Sequence, residues 1–331
     1  MSASADRREF YSRLKSKSAA PLWEVLSDIV RTDPRTSVQA ALWKYDEMRP
    51  FIADAGRLIT AEEAERRVLM LENPGLPGMS RITQSLYAGL QLILPGEVAH
   101  SHRHTASALR FILEGSGAYT SVNGERLSMK PGDFILTPFW SYHDHGNPGS
   151  EPVVWLDGLD IPTVNMFDTS FFEKHEEHEQ HLSHEGHEDE RVPATREVES
   201  SLMKYPYEPH RDRLARMATS GPLDARHGYK LEYLNAKTGA AVLPTIGAWL
   251  QLLPNGFRGE PSRSTDATIF CVVEGRGTTT VGEQTFSWGP RDIFVAPSWH
   301  AVSHQTNEQS VIFSFSDRPA QKALGIWREQ A

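Results

Sequence analysis

One segment of this chain occurs twice, and that repetition limits the fold more than any other feature. The run FILEGSGAYTSVNGERLSMKPGDFILTPFW, beginning at Phe111, aligns with FCVVEGRGTTTVGEQTFSWGPRDIFVAPSW, beginning at Phe270, with one residue added before the first glycine and one residue deleted at the turn. Gly96 falls on Gly256, Gly115 on Gly275, Pro138 on Pro297 and Trp140 on Trp299. Short runs rich in β-branched and aromatic residues (LQLILP, ALRFILEG, AYTSV, DFILTP, VVWLDGL) alternate with Gly, Pro and Asn. Asn123-Gly124 is a two-residue hairpin signal. Such runs, closed by turns, build an all-β barrel, and their duplication requires two barrels.

The N-terminal quarter reads differently. Pro21-LWEVLSDIV carries apolar residues at helical spacing, and Thr60-AEEAERRVLML opens with a capping box from Thr60 to Glu63. The expected division is a helical region over 1–75, a first barrel over 76–165, a linker over 166–230 and a second barrel over 231–331. A chain of 331 residues with 39% hydrophobic content has enough apolar material for two cores. Its formal charge of −9 argues against a nucleic-acid or membrane partner, since both select basic surfaces. The single cysteine, Cys271, excludes an intramolecular disulfide and suits a reducing compartment. MSASADRREFYSRLKSK has no apolar signal core, and no run of about 18 apolar residues occurs anywhere in the chain. A soluble cytoplasmic protein is expected.

The first repeat carries a cluster that the second lacks. His102 and His104 are separated by one residue, so on a strand they point to one face. His143, on a later strand of the same barrel, can complete a triad around one divalent metal. This spacing resembles both halves of the metal-binding cupin pattern, in which a glutamate usually follows the His-x-His pair by four or five positions. Ala108 and Leu109 stand there instead, so no carboxylate joins the set. Imidazole suits iron, copper, nickel, manganese and zinc alike. Three neutral histidines leave a divalent centre at a formal +2, which matches a dianionic chelating substrate such as a carboxylate with an ortho phenolate. His100, the odd member of HSHRH, reads as an ordinary polar residue. In the second barrel Ser262, Ser264 and Val302 take the ligand positions, although His300 and His304 lie near. That barrel is expected to be metal-free and structural.

Other residues mark out a substrate pocket. Arg110 lies six positions after His104, an even separation that would place it inward along a regular strand, where its fork suits a carboxylate. A pairing with Asp157 or Glu114 is the alternative. His145, two residues beyond His143, would share the interior and assist proton movement. Tyr87 and Gln91 are at even spacing and could line the pocket, with Gly89 between them leaving room for a ring. The tract EKHEEHEQHLSHEGHEDE places His175, His178, His181, His184 and His187 at intervals of three. It reads as a solvated acidic linker, with metal binding as the alternative.

The run ENPGLPG…SLYAGLQLILPGEVAHSHRHTASALRFILEG, followed by GDFILTPFWSYHDHGN and PVVWLDGLDIP, resembles the gentisate 1,2-dioxygenase family of bicupins. That family includes enzymes that cleave salicylate, substituted salicylates and 1-hydroxy-2-naphthoate. The resemblance is dense over residues 70–165. It implies an Fe(II) enzyme that inserts both atoms of O2 and opens the ring between its carboxyl- and hydroxyl-bearing carbons. It further implies His102, His104 and His143 as iron ligands, Arg110 and His145 as residues that hold and activate the substrate, and Gln91 and Asp157 as residues of the pocket and its surround. A metal-free second cupin and a homotetramer are also implied. Two departures bear on the substrate: Tyr142 stands where many relatives have a second tryptophan, and the His-rich linker is unlike the family's usual pattern. Gentisate, salicylate and 5-substituted salicylates remain open. A non-enzymatic metal- or acid-binding bicupin, or a cupin isomerase, is the reading from another class.

Overall fold

The computed structural model describes residues 2–182, 184–185 and 203–330, which fall into two compact units, 1–35 and 36–331. The first unit holds α1 (Ser2–Lys15), a single 3-10 turn over Leu22–Glu24 and the one-turn α2 (Leu26–Ile29). The expected helix over the PLWEVLSDIV segment is thus broken at Val25, whose φ of −127° and ψ of 7° leave the helical region. The Trp23 indole donates to the Tyr11 hydroxyl, which donates to Glu24, at 2.9 and 2.5 Å.

The second unit begins with β1 (Ala41–Trp43), α3 (Tyr45–Leu58), α4 (Ala61–Ala64) and β2 (Val68–Met70). The capping box forms as expected: the Glu63 amide donates to Thr60 Oγ1 at 3.1 Å and the Thr60 amide donates to Glu63 Oε2 at 3.0 Å. The helix it starts lasts one turn, because Glu65 adopts φ +51° and the chain turns into β2. Residues 1–75 are therefore not helical throughout. VLM is too short an apolar run for periodicity to separate strand from helix, and pairing with β3 decides it.

The first barrel comprises β3 (Tyr87–Ile93), β4 (Val98–His104), β5 (Ala108–Glu114), β6 (Tyr119–Val122), β7 (Glu125–Ser128), β8 (Phe134–Thr137), β9 (His143–Gly146) and β10 (Val153–Leu159). After α5 (Ile161–Met166) come β11 (Phe172–Lys174), β12 (His184–Glu185), β13 (Lys204–Tyr205) and α6 (Tyr207–Ser220). The second barrel comprises β14 (Tyr229–Tyr233), β15 (Gly247–Leu253), β16 (Arg263–Ser264), β17 (Thr268–Glu274), β18 (Gly277–Val281), β19 (Gln284–Trp288), β20 (Ile293–Ala296), β21 (Val302–Thr306) and β22 (Ser310–Ser316), followed by α7 (Arg318–Ala323) and β23 (Glu329–Gln330). Among the described residues the first barrel is built from sheets ordered β13-β8-β5-β10-β3-β2 and β11-β4-β9-β6-β7-β12. The second is built from β1-β20-β17-β22-β15-β14 and β19-β18-β21.

Period-two patterning sorts the buried residues into three cores. On β5, Leu109, Phe111 and Leu113 face the core between the barrels, where Phe111 stacks on Phe313 at 4.2 Å. Ile112 faces the interior of the first barrel, and Val272 has the matching place in the second. The repeat extends to backbone detail. Gly115 and Gly275 both have φ +78°, a conformation that favours glycine. Trp140 and Trp299 both have positive φ, and their amides donate to the carbonyls of His104 and Ser264 at 2.8 and 2.7 Å. Among the described residues no helix is long and apolar enough to cross a membrane.

The His-rich tract is not a free linker over its described part. β11 pairs antiparallel with the edge of β4. Beyond it, the His175 amide donates to Ser101 O and the Ser101 amide donates to His178 O, both at 2.9 Å. Gln180 donates to Asp144 Oδ2 at 3.0 Å and accepts from the Gly124 amide at 2.8 Å, and β12 runs parallel to β7. Residues 172–182 and 184–185 form a strap along the first barrel, held by backbone bonds that an acidic, low-complexity composition does not reveal. His187 lies outside the described residues.

Candidate metal centre

Alternation along β4 puts His102 and His104 on one face, and β9 places His143 directly opposite His102. Their ring centroids lie 4.3 to 5.4 Å apart, and each offers a ligand nitrogen within 4.8 Å of the others. No other group of three metal-ligating side chains is so placed among the described residues. The Nδ1 atoms of His104, His143 and His102 lie 2.7, 3.0 and 3.2 Å from the carbonyls of Ala106, Ser141 and His100. On His104 and His143 an Nδ1–H donated to the carbonyl fixes the tautomer that frees Nε2 for a metal. Burial disfavours protonation of all three. It takes His102 down to about 2, helped by the Arg66 guanidinium, and His104 down to about 4; His143 also falls well below the ordinary range. Three neutral imidazoles with oriented lone pairs fit a divalent transition metal. The positions of the missing glutamate, Ala108 and Leu109, are fully buried in apolar surroundings.

Arg110 is buried beside this triad, although the even spacing from His104 is not the reason. Residues 105–107 separate β4 from β5, which belong to different sheets, so no regular strand connects the two residues. Arg110 faces the interior because β5 pairs with β10, where it stands opposite Asp157. Its Nη1 donates to Thr137 Oγ1 at 2.6 Å. Its Nε lies 3.6 Å from Asp157 Oδ1, an ion pair beyond hydrogen-bond range, and has no acceptor. The Trp155 indole donates to the same carboxylate oxygen at 2.9 Å. Burial pushes the Asp157 carboxyl up to about 6 against the opposing pull of Arg110 and Trp155.

His145 shares the face of His143, with ring centroids 5.8 Å apart. It is buried, and neither ring nitrogen has a hydrogen-bond partner. Burial and then the Arg110 charge hold it neutral. Gln91, on β3 opposite Trp155, is also buried. Tyr87 is half-buried, and burial followed by the Asp157 charge raises its hydroxyl. Gly89 does not open free space as expected. A Cβ there would meet Val68 Cγ1 at 2.5 Å and the Tyr87 hydroxyl at 2.8 Å, so its bareness seats the tyrosine against β2.

Sequence reasoning missed Arg66. Its Nη2 donates to His100 O at 2.8 Å and lies 2.5 Å from His102 Nδ1. The residue sits just after the Glu65 turn, in a segment expected to be helical, and no spacing rule links it to His102. Phe172 of the strap was also missed; it stacks on His102 at 5.1 Å. His100 stacks on His178 at 4.3 Å and takes no part in the triad.

A model of the cupin domain matches residues 89–159. The chain is 50% identical over 333 residues to gentisate 1,2-dioxygenase 1 of Aquipseudomonas alcaligenes, covering 98% of this chain and 96% of that protein. The chain belongs to the gentisate 1,2-dioxygenase family. Within that family it is 35% identical over 327 residues to 5-aminosalicylate 1,2-dioxygenase of a Comamonas species, covering 94% of this chain and 87% of that one. A crystal structure of salicylate 1,2-dioxygenase from Pseudoaminobacter salicylatoxidans, with gentisate adducts, aligns with a TM-score of 0.89 at 31% identity. That alignment covers 98% of this chain and 93% of the other. Family membership makes this chain a bicupin and a dioxygenase-type oxidoreductase.

Proposed function

We propose that this chain is an Fe(II)-dependent enzyme that opens gentisate, or a related salicylate, between its carboxyl- and ortho-hydroxyl-bearing carbons with O2. The observation that carries the reading is an all-histidine triad beside a buried guanidinium with an unused donor. His102, His104 and His143 would hold the metal through Nε2. A divalent iron bound there would supply a chelation point for the substrate's carboxylate and ortho oxygen and the redox capacity for dioxygen.

The remaining steps belong to the chain's own side chains. Arg110 orients the carboxylate, with Thr137 and Asp157 fixing the plane of its fork. His145, neutral and with both nitrogens free, accepts the phenolic proton as the substrate seats and returns it to the product side. Asp157 positions Arg110, while Gln91 and Tyr87 line the ring, and Gly89 seats Tyr87 instead of facing the substrate. Arg66 adds positive charge beside His102 and favours a dianion.

The catalytic barrel is residues 76–165, and the metal-free one 231–331. A homotetramer in the cytoplasm is our assignment for the assembled protein. It is supported by the family resemblance and by the exposed Leu22, Trp23, Ile29 and Val30 of the first unit. An oxygen electrode run on the iron-loaded protein with gentisate, salicylate and 5-substituted salicylates tests the proposal. Oxygen uptake with ring-fission absorbance is expected for gentisate. Turnover without oxygen uptake would favour an isomerase, and silence with every acid would favour a binding protein.

A further inference from the structure

The second barrel has lost its metal ligands, yet its interior is not a plain apolar plug. Strand register maps its inner face onto that of the first barrel. On β15, Gln251 and Trp249 hold the places of Gln91 and Gly89 on β3. Phe270 pairs with Ser314 as Arg110 pairs with Asp157, and His304 pairs with Thr279 as His145 pairs with Thr120. Lys230 stands opposite Gln251 as Val68 stands opposite Gln91. Directly paired residues share a face of the sheet. Lys230 and Gln251 therefore face the same way as Ile312, a member of the apolar cluster inside this barrel.

Several polar groups on this face have nothing to bind. Gln251 is fully buried, and neither its amide oxygen nor its nitrogen has a partner. Ser314 is fully buried with an unpartnered hydroxyl. Native interiors seldom leave such groups unsatisfied unless a water or ligand completes them. Lys230 is half-buried, with its ammonium 5.3 Å from the Trp249 ring and no carboxylate within ion-pair distance among the described residues.

The surrounding carboxylates are already engaged or exposed. Asp266 accepts from Ser316 at 2.7 Å, Trp327 at 2.8 Å and Arg318 at 3.2 Å. Asp224 accepts from the Arg226 and His227 amides and lies against the His227 ring. Glu232 is exposed, opposite Trp249. His304 Nδ1 is taken by Thr279 Oγ1 at 2.8 Å, and its ring lies against Phe270 at 5.3 Å. Burial, then the Arg318 charge, brings Lys230 down to about 8, which still leaves it mostly charged at neutral pH. The face presents one ammonium with no carboxylate in ion-pair distance among the described residues, unused amide and hydroxyl groups, and aromatic walls.

We propose that the interior of the second barrel is a metal-free binding site for a small organic carboxylate, held by Lys230 Nζ, the Gln251 amide and the Ser314 hydroxyl against Trp249 and Phe270. Benzoate is a suitable probe, since it has no ortho oxygen with which to chelate a metal. Calorimetric titration should use full-length, metal-loaded protein carrying Arg110→Met, which takes the anion partner out of the first barrel. One benzoate per chain should still bind. Adding Lys230→Met or Gln251→Leu should weaken that binding by roughly tenfold or more, the loss of one charge-assisted or buried hydrogen bond. Wild-type crystals soaked in benzoate should show its carboxylate between Lys230 and Gln251. Melting temperature and cobalt uptake at the triad check that each variant folds, and for a variant that does not, the soaked crystal decides. Absence of benzoate binding at millimolar concentration, binding indifferent to both substitutions, or only water on Gln251 and Ser314 would overturn the proposal. Displacement by chloride as readily as by acetate would make it an inorganic anion site and overturn the carboxylate assignment.

Discussion

Replacing Arg110 with methionine should separate substrate binding from metal binding. Arg110 is 3% exposed, with one guanidinium nitrogen committed to Thr137 and Nε without an acceptor. Removing a desolvated partner of a carboxylate costs about 2–5 kcal/mol, so kcat/KM for gentisate should fall roughly 30- to several-thousandfold. Stability should suffer less than the ~3–5 kcal/mol typical of a broken buried pair. The reason is Asp157, which burial already holds near 6; without its cation it rises further and becomes neutral instead of remaining an unpaired charge. A carboxyl whose folded pKa exceeds its unfolded one destabilises the fold as pH rises from the unfolded value through the folded one. The variant should therefore lose more stability, relative to wild type, near pH 8 than near pH 5. Steady-state oxygen consumption, metal analysis and thermal melts at the two pH values measure all of this. A kcat/KM within about threefold of wild type, or loss of the metal, would refute the role given to Arg110.

Four further outcomes follow from the same geometry. His143→Ala should abolish metal binding while His300→Ala leaves it intact, as metal analysis of the purified variants will show; the reverse would put the centre in the wrong barrel. Because burial already keeps His102, His104 and His143 neutral, metal affinity of the folded apoprotein should be nearly flat from about pH 5.5 to 7.5. A steep fall centred on the ordinary histidine pKa would contradict this. The Arg67 fork meets Glu97 at 2.7 and 2.8 Å, so Glu97→Gln should cost about 2–3 kcal/mol in chemical denaturation, less than a fully buried pair because Glu97 keeps some solvent. Although burial opposes its ionisation, the Arg67 fork and the Leu94 amide hold the Glu97 carboxyl below its usual range. That stabilisation is present above the unfolded carboxyl pKa and lost as pH falls through the folded one; an equal wild-type-to-variant gap at pH 3 and pH 7 would contradict it.

What could be read in the sequence was local or repeated. The histidine pair needed only the two-residue period of one strand, and the duplicated glycines and tryptophans needed only alignment. Arg110 was expected to face inward and does, but by a different route: its partner is Asp157 on β10, not the parity of a strand shared with His104. Arg66 was not legible, because a one-turn helix ending at a positive-φ Glu65 carries the chain to His102 from outside the barrel. The strap was misjudged for a related reason. Its composition is that of solvated chain, while what fixes it is backbone pairing to the open edge of β4, to which any side chain is nearly indifferent. Gly89 looked like room for a substrate, and tertiary packing had filled that room with Tyr87 and Val68.

The central claim is that one metal per chain sits in the first barrel, on three imidazoles and no carboxylate. Anomalous diffraction from crystals of the iron-loaded protein tests it directly. A single peak bonded to the Nε2 atoms of His102, His104 and His143 is expected. A peak at His300 and His304, a peak on the strap histidines alone, or an empty triad under saturating iron would contradict it.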